Sequence, residues 1–295
     1  MGMKQIISQS RWGILLMGIA LAGCTGTGTT EPLPEKPIHN ENEMVFRAVH
    51  PGASRATATA FEENDRIGVF LTEAGEELEQ SGNYVNNASL TYRTGEWQGE
   101  SPIYWDNRSY DVYAYFPYIQ RVSSVDDYPF AVATDQRKEG YAASDFLWAG
   151  KKNAQASEGA VTLPFRHCMS RLKVRLVAGE DYEGELPNDV TLYIHNTVTE
   201  ATIDLAVGIP TRNQYASART VIARDEGNHT YGAILVPQRL LNRLPLLEVV
   251  TEGVSYLMES TFVFKQGICH NVTLILSKNP EQVKIEIGGE IEDWG

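Results

Sequence analysis

In "SYDVYAYF", Tyr110, Val112, Ala114 and Phe116 recur at every second residue. Period two puts such a set on one face of a strand, whereas a helix scatters it around its circumference. The same alternation recurs as Ile203, Leu205 and Val207 in "ATIDLAV", and as Val272, Leu274 and Leu276 in "NVTLIL". Val283, Ile285 and Ile287 repeat it in "VKIEI". Further strands are expected at "IGVFL" from Ile67, "TLYIH" from Thr191, "YGAILV" from Tyr231, "LLEVV" from Leu246 and "YLMESTFVF" from Tyr256. Turn-rich pieces such as "EAGEELEQSGN" and "RDEGNHT" separate them. Only "QRLLNRL", after Pro237, reads as a short turn of helix. Many short strands with Gly and Pro punctuation imply an all-β chain built from antiparallel β-sandwiches.

The amino terminus is of a different kind. Lys4 and Arg11 precede an apolar run, Trp12 to Ala22. That run is shorter than the ~20 residues a membrane-spanning helix needs, so it reads as a secretory signal over residues 1–23. It closes with Leu21-Ala22-Gly23-Cys24, which resembles a bacterial lipobox, where the cysteine is lipidated and becomes the new terminus. Cys24 is thus the expected lipid site, and acyl chains there would anchor the protein at ~0.8 kcal/mol per buried CH₂. Residues 24–43 are rich in Gly, Thr, Pro, Glu and Asn, the composition of a tether that cannot bury enough surface to fold.

The chain beyond the tether is long enough for two domains, expected at 44–160 and 161–295. In "VTLPFRHCMSRLKVRL", Val161, Leu163, Phe165, His167 and Met169 occupy odd positions, and then Leu172, Val174 and Leu176 occupy even ones. A change of parity within one run marks a bulge or a passage between sheets.

The residues that carry chemistry do not converge. The net charge of −13 disfavours nucleic acid and anionic lipid surfaces. The six histidines show no metal-ligand spacing, no serine stands in a nucleophile elbow, and there is no Gly-rich phosphate loop. No catalytic residue, metal or cofactor is expected, and the chain reads as a non-enzyme. His167 lies on an apolar strand face and reads as a hydrogen-bonded core residue. Asp126-Asp127 reads as a solvated turn. Export would permit a disulfide between Cys168 and Cys269, the alternative being two buried thiols.

Two stretches invite functional readings. "SPIYWDNRSYDVYAYFPY" is crowded with aromatics. It is either a core face with cross-strand aromatic pairs or a platform for sugar rings. Tyr113 and Tyr115, on the opposite parity from the apolar set, are the candidate stacking residues. In "GASRATATAF", Arg55 sits among small residues that would leave a peptide bond open to a protease, although the residues alone favour a plain exposed arginine.

These pieces resemble, in order and spacing, the fimbrillin-like family of lipoproteins from the Bacteroidales, the subunits and relatives of the type V pilus. The resemblance is carried by the lipobox and tether, "SRA" at Ser54, "DRIGVF" at Asp65, "PIYW", "DVYAYFPY", "SDFLWA" at Ser144, "FRHCMSRLKVRL", "LVPQ" at Leu235 and the closing "IEDW". It implies two tandem β-sandwiches on a lipid anchor at the outer membrane and cell surface. It also implies that an arginine-specific protease removes a first strand, whose groove is filled by a strand of the next subunit. On this chain the removable strand would be "MVFRAVH", Met44 to His50, with Arg55 the first cleavage candidate and Arg47 the second. The partners implied are other fimbrial subunits, the membrane through Cys24, and a host or bacterial surface ligand. The chain is shorter than the main stalk subunits and ends without an obvious donor segment, so tip, anchor and accessory roles stay open. A monomeric glycan-binding surface lipoprotein is the alternative.

Overall fold

The computed structural model describes residues 41–51 and 60–292, with side chains through 290. Cys24 and Arg55 therefore lie outside the described residues. Among those described, twenty strands carry almost all the regular structure. The first nine are β1 (Phe46–Val49), β2 (Arg66–Glu73), β3 (Val85–Arg93), β4 (Glu96–Gly99), β5 (Tyr110–Phe116), β6 (Tyr128–Ala131), β7 (Leu147–Ala154), β8 (Val161–Pro164) and β9 (Arg166–His167). Next come β10 (Ser170–Ala178), β11 (Val190–Thr197), β12 (Glu200–Asp204), β13 (Ile209–Arg212), β14 (Arg219–Ile222) and β15 (Arg224–Gly227). The last five are β16 (Thr230–Leu235), β17 (Gln238–Thr251), β18 (Val254–Phe264), β19 (Ile268–Leu276) and β20 (Lys284–Glu292).

Hairpins set the local register. Thr94-Gly95, Asn228-His229 and Glu252-Gly253 each hold two successive positive φ angles. That is the backbone of the tight turn whose twist matches the flanking strands. The segment "QRLLNRL" is strand, not helix: Gln238, Arg239 and Leu240 pair with Phe264, Val263 and Phe262 of β18. Edge-to-edge pairing along the long hairpin outweighs a local helical preference worth only tenths of a kcal/mol per residue. Val207 likewise falls beyond β12, exposed in the turn before β13.

Three apolar clusters organise the body. A five-stranded sheet, β15-β16-β10-β19-β20, faces a four-stranded one, β14-β11-β17-β18. Between them pack Leu172, Val174, Leu192, Ile194, Val249, Phe264 and Leu274, a sandwich core of alternating inward residues. Nearer the amino terminus stands a six-stranded sheet, β4-β3-β2-β5-β7-β9. One of its faces is covered by the pair β1-β8. The other is covered by β6 and β12 and by the end of the five-stranded sheet. The chain changes sheets between His167, which pairs in the six-stranded sheet, and Ser170, which opens β10. The parity change read in the sequence is this passage, with Cys168 and Met169 fully buried in it.

Polar clamps join the parts. Gln136 is fully buried. Its Nε2 donates to the Ile234 carbonyl at 2.7 Å, and its Oε1 accepts from the Ile234 N–H at 2.8 Å. A side-chain amide thus imitates one rung of a β-ladder. Gln238 does the same for Val198, accepting its N–H at 2.9 Å and donating to its carbonyl at 3.0 Å. Trp148 Nε1 donates to the Leu205 carbonyl at 2.7 Å. Its indole lies against Gly208, where φ is +65° and a Cβ would come within 2.5 Å of the ring.

Replacing Gln136 by Ala strands the Ile234 N–H and carbonyl. At ~1–3 kcal/mol for each unsatisfied buried group, a loss of about 2–5 kcal/mol is expected from denaturant midpoints. The exposed Gln80→Ala should change stability by less than ~0.5 kcal/mol.

Candidate functional site: the seat of the first strand

β1 is short and mostly side-chain anchored. Met44 and Phe46 point inward and are buried, Ala48 packs half-buried, and Arg47 and Val49 face solvent. Burying a Met and a Phe contributes roughly 1.5–3 kcal/mol each. The backbone is held from two sides. Val161 N–H donates to the Val45 carbonyl at 2.8 Å, and Phe165 N–H donates to that of Val49 at 2.9 Å. These belong to a parallel ladder in which Phe46, Arg47, Ala48 and Val49 face Val161, Thr162, Leu163 and Pro164. Ahead of the strand, Met44 N–H donates to the Ile103 carbonyl at 2.7 Å, and Trp105 N–H donates to that of Asn42 at 2.8 Å. β8 is the only strand that pairs with β1 among the described residues.

The seat is apolar throughout. Ile67, Val69 and Leu71 of β2, Val112 and Ala114 of β5, and Leu147 and Ala149 of β7 form its floor, with Trp97 and Leu163 at the sides. Phe61, the second described residue beyond the segment that holds Arg55, is its aromatic hub. Its ring stands edge-on to His50 at 5.1 Å, Trp97 at 5.0 Å, Phe165 at 5.4 Å and Phe116 at 5.7 Å. Both ends of the segment 52–59 are therefore tied to one aromatic cluster. Nothing in the sequence marks Phe61 for this role; its partners are brought to it only by the fold.

His50 ends the strand, with its ring 6.1 Å from that of His167. His167 is buried, as read from its strand face, with Nδ1 2.9 Å from Asp145 Oδ1. Burial, and then the neighbouring His167, push the His50 imidazole from its ordinary 6.5 to about 4, while Asp145 pulls the other way.

The remaining candidates fall elsewhere. Tyr113 and Tyr115 are not exposed: they are 3% and 1% accessible. Both pack into the cluster on the far face of the six-stranded sheet, because β5 is a central strand covered on both sides. Tyr115 Oη bonds Asn87 Oδ1 at 2.8 Å, and its ring lies over Gly68, where a Cβ would come within 2.2 Å. Lys152 Nζ donates to Tyr113 Oη at 2.6 Å. Tyr113 and Tyr115 are therefore core residues, whereas Tyr104 of the same run is exposed. Cys168 and Cys269 are both buried free thiols, and Cys168 Sγ donates to the Gly208 carbonyl at 3.3 Å. Asp126 and Asp127 are exposed, the Asp127 N–H bonded to Ser124 Oγ. Among the described residues, no group of three or more His, Cys, Asp or Glu is placed to hold a metal ion.

A family model described as fimbrillin-like matches residues 54–294. The fold is shared with a proposed cell adhesion protein from Bacteroides ovatus, at 20% identity, TM-score 0.67, and coverage of 85% of this chain and 96% of that one. A second such protein, from Bacteroides uniformis, has 17% identity, the same TM-score, and coverage of 88% and 100%. The tip fimbrial protein Mfa3 from Porphyromonas gingivalis is more distant, with 8% identity, TM-score 0.50, and coverage of 84% and 98%. No curated protein sequence matches the chain.

Two outcomes are expected of this seat. Phe46→Ala should destabilise the protein by about 3–5 kcal/mol, the range for emptying a core aromatic site, as read by chemical denaturation. Because the folded His50 resists protonation, the undocked strand binds the proton more readily between about pH 6.5 and 4. Stability present above pH 6.5 should fall through that window in thermal melts, and His50→Gln should flatten the fall. Part of it should persist, because burial also lowers the pKa of His270.

Proposed function

This chain belongs to the fimbrillin-like family, and from that premise we propose that it is a non-enzymatic fimbrial subunit or adhesin of the cell surface. In this reading it is exported, lipidated at Cys24 and held by that lipid at the outer membrane. A protease cuts after Arg55, and the segment bearing β1 leaves its seat. The trough it vacates is filled by a strand of the next subunit.

The observation that carries this reading is the construction of β1. A strand buried through Met44 and Phe46, paired on one edge only, closes a floor that is otherwise entirely apolar. Its departure would expose a contiguous apolar trough and the unpaired edge of β8. An incoming strand restores both: backbone hydrogen bonds supply strength, and side chains at alternate positions supply selectivity. Arg55 suits the cut because it lies beyond the strand, between Pro51 and Ala60, so cleavage there frees β1 whole. Arg47 is exposed but lies within β1, where cleavage would divide the strand. The alternative, a monomeric glycan-binding lipoprotein, loses its aromatic platform with the burial of Tyr113 and Tyr115.

Surface material from the source cells, run unboiled and boiled on a denaturing gel and then sequenced from the amino terminus, tests the proposal. A ladder that collapses on boiling, with chains beginning at Ala56, is the expected result, and Arg55→Ala should abolish it. A single band beginning at acylated Cys24 would contradict polymerisation.

A further inference from the structure

The outer face of the five-stranded sheet carries a feature that strand exchange does not use. β10 alternates, so while Leu172, Val174 and Leu176 enter the sandwich core, Lys173 and Arg175 project outward and are exposed. Residues two apart on a strand stand about 7 Å from one another on the same face. Lys173 is flanked in register by Gly232 of β16 and Asn271 of β19, and Arg175 by Thr230 and Thr273. Lys173, Arg175, Thr230, Asn271 and Thr273, with Asn228 from the β15–β16 turn, line an open concavity of about 330 Å³.

Its charge is unbalanced. The carboxylate that could neutralise it from β15, Glu226, lies over Gly232 and is engaged by Arg171 at 2.6 Å. Glu290 of β20 is engaged by Lys265 at 2.7 Å. Glu286, opposite Thr273 on β20, forms no ion pair with either cation. Among the described residues, neither the Lys173 nor the Arg175 side chain has a hydrogen-bond or ion-pair partner. Two neighbouring cations left unpaired on a chain of net charge −13 form a local basic island. Around them the lining offers hydroxyls and amides. Asn271 is steadied by its bond to the Gly289 carbonyl at 3.3 Å, and Thr230 by its bond to that of Asn228 at 3.3 Å.

We propose that this concavity binds an acidic saccharide, with Lys173 and Arg175 each holding a sulfate or carboxylate group. The guanidinium of Arg175 matches such an oxyanion with two parallel N–H donors, and Lys173 supplies a compact second charge. The Asn and Thr side chains suit ring hydroxyls. The lining holds no aromatic side chain for ring stacking, so charge carries the affinity and salt weakens it. A neutral sugar would leave both cations unanswered. A long polyanion such as nucleic acid would meet the acidic remainder of the surface. None of its lining residues belongs to β1, to β8 or to the cluster beneath them, and its occupation does not require strand exchange.

Calorimetric titration of the mature chain with a chondroitin 4-sulfate hexasaccharide tests the site, with chitohexaose as the neutral control. Binding is expected to weaken at least tenfold between about 50 and 300 mM salt, conditions chosen to bracket the usual screening range. The pair Lys173→Gln and Arg175→Gln together should lose at least tenfold in affinity with an unchanged melting temperature, while Lys173→Arg and Lys138→Gln should retain it. Failure of the hexasaccharide to bind, equal binding of chitohexaose, or unchanged affinity in the double variant would overturn the proposal. So would inorganic sulfate competing at the hexasaccharide's own concentration, which would reduce the site to a small-anion contact.

Discussion

The central strands of the six-stranded sheet, β2 and β5, have no solvent face, and the rest of the molecule is arranged around that fact. In β5 every residue from Tyr110 to Tyr115 is buried. Val112 and Ala114 look toward β1, and Tyr113 and Tyr115 look the other way. Even Asp111 is buried, its carboxylate accepting the Asn153 N–H at 2.8 Å, that of Gly75 at 3.2 Å, and Lys152 Nζ at 3.0 Å. A sheet that is apolar on both sides needs two covers. One is made of distant parts of the chain locked in place; the other includes a four-residue strand paired along a single edge. That asymmetry is what the proposed strand exchange would use.

The cover on the Tyr113 side is tied down by polar contacts as well as by apolar packing. Gln136 and Gln238 each complete a backbone rung that no strand reaches, and both sit where a stranded N–H or carbonyl would be destabilising. Trp148 crosses to Leu205 and rests on Gly208. Below it Cys168, Met169 and Cys269 fill the passage between sheets as small, buried hydrophobes. β1 is different. With Met44 ahead of it, it brings Phe46 and Ala48 to the core, and among the described residues its own side chains form no clamp of that kind; under the proposal a strand with the same alternation takes its place.

Much of this is legible in the sequence because a half-buried strand announces itself by alternation. Val272, Leu274 and Leu276 do point into the sandwich core, and the parity change after "FRHCM" is a real passage between sheets. The strand in "MVFRAVH" is expected from the family resemblance alone, and β1, Phe46–Val49, lies within it. The exposure expected of Tyr113 and Tyr115 fails for a physical reason. Alternation separates inside from outside only where one face meets water, and a nearly continuous apolar run such as "YDVYAYF" signals a strand buried twice. "QRLLNRL" reads as helix only because seven residues cannot reveal a partner strand that lies beyond the next turn, as Gln238 pairs with Phe264. The pairing of Phe46 with Val161, the cluster around Phe61 and the meeting of His50 with His167 all join residues far apart in the chain, and no local pattern encodes them.

Amide hydrogen exchange on the purified chain, before and after trimming at Arg55, tests most directly whether β1 is separable from a body that stays folded. The Val161 and Phe165 amides, which donate to Val45 and Val49, should lose protection on trimming. Amides between β2 and β5 should keep theirs, and protection at Val161 and Phe165 should return when trimmed subunits associate. Global loss of protection, or no change at Val161 and Phe165, would contradict a strand that leaves and is replaced.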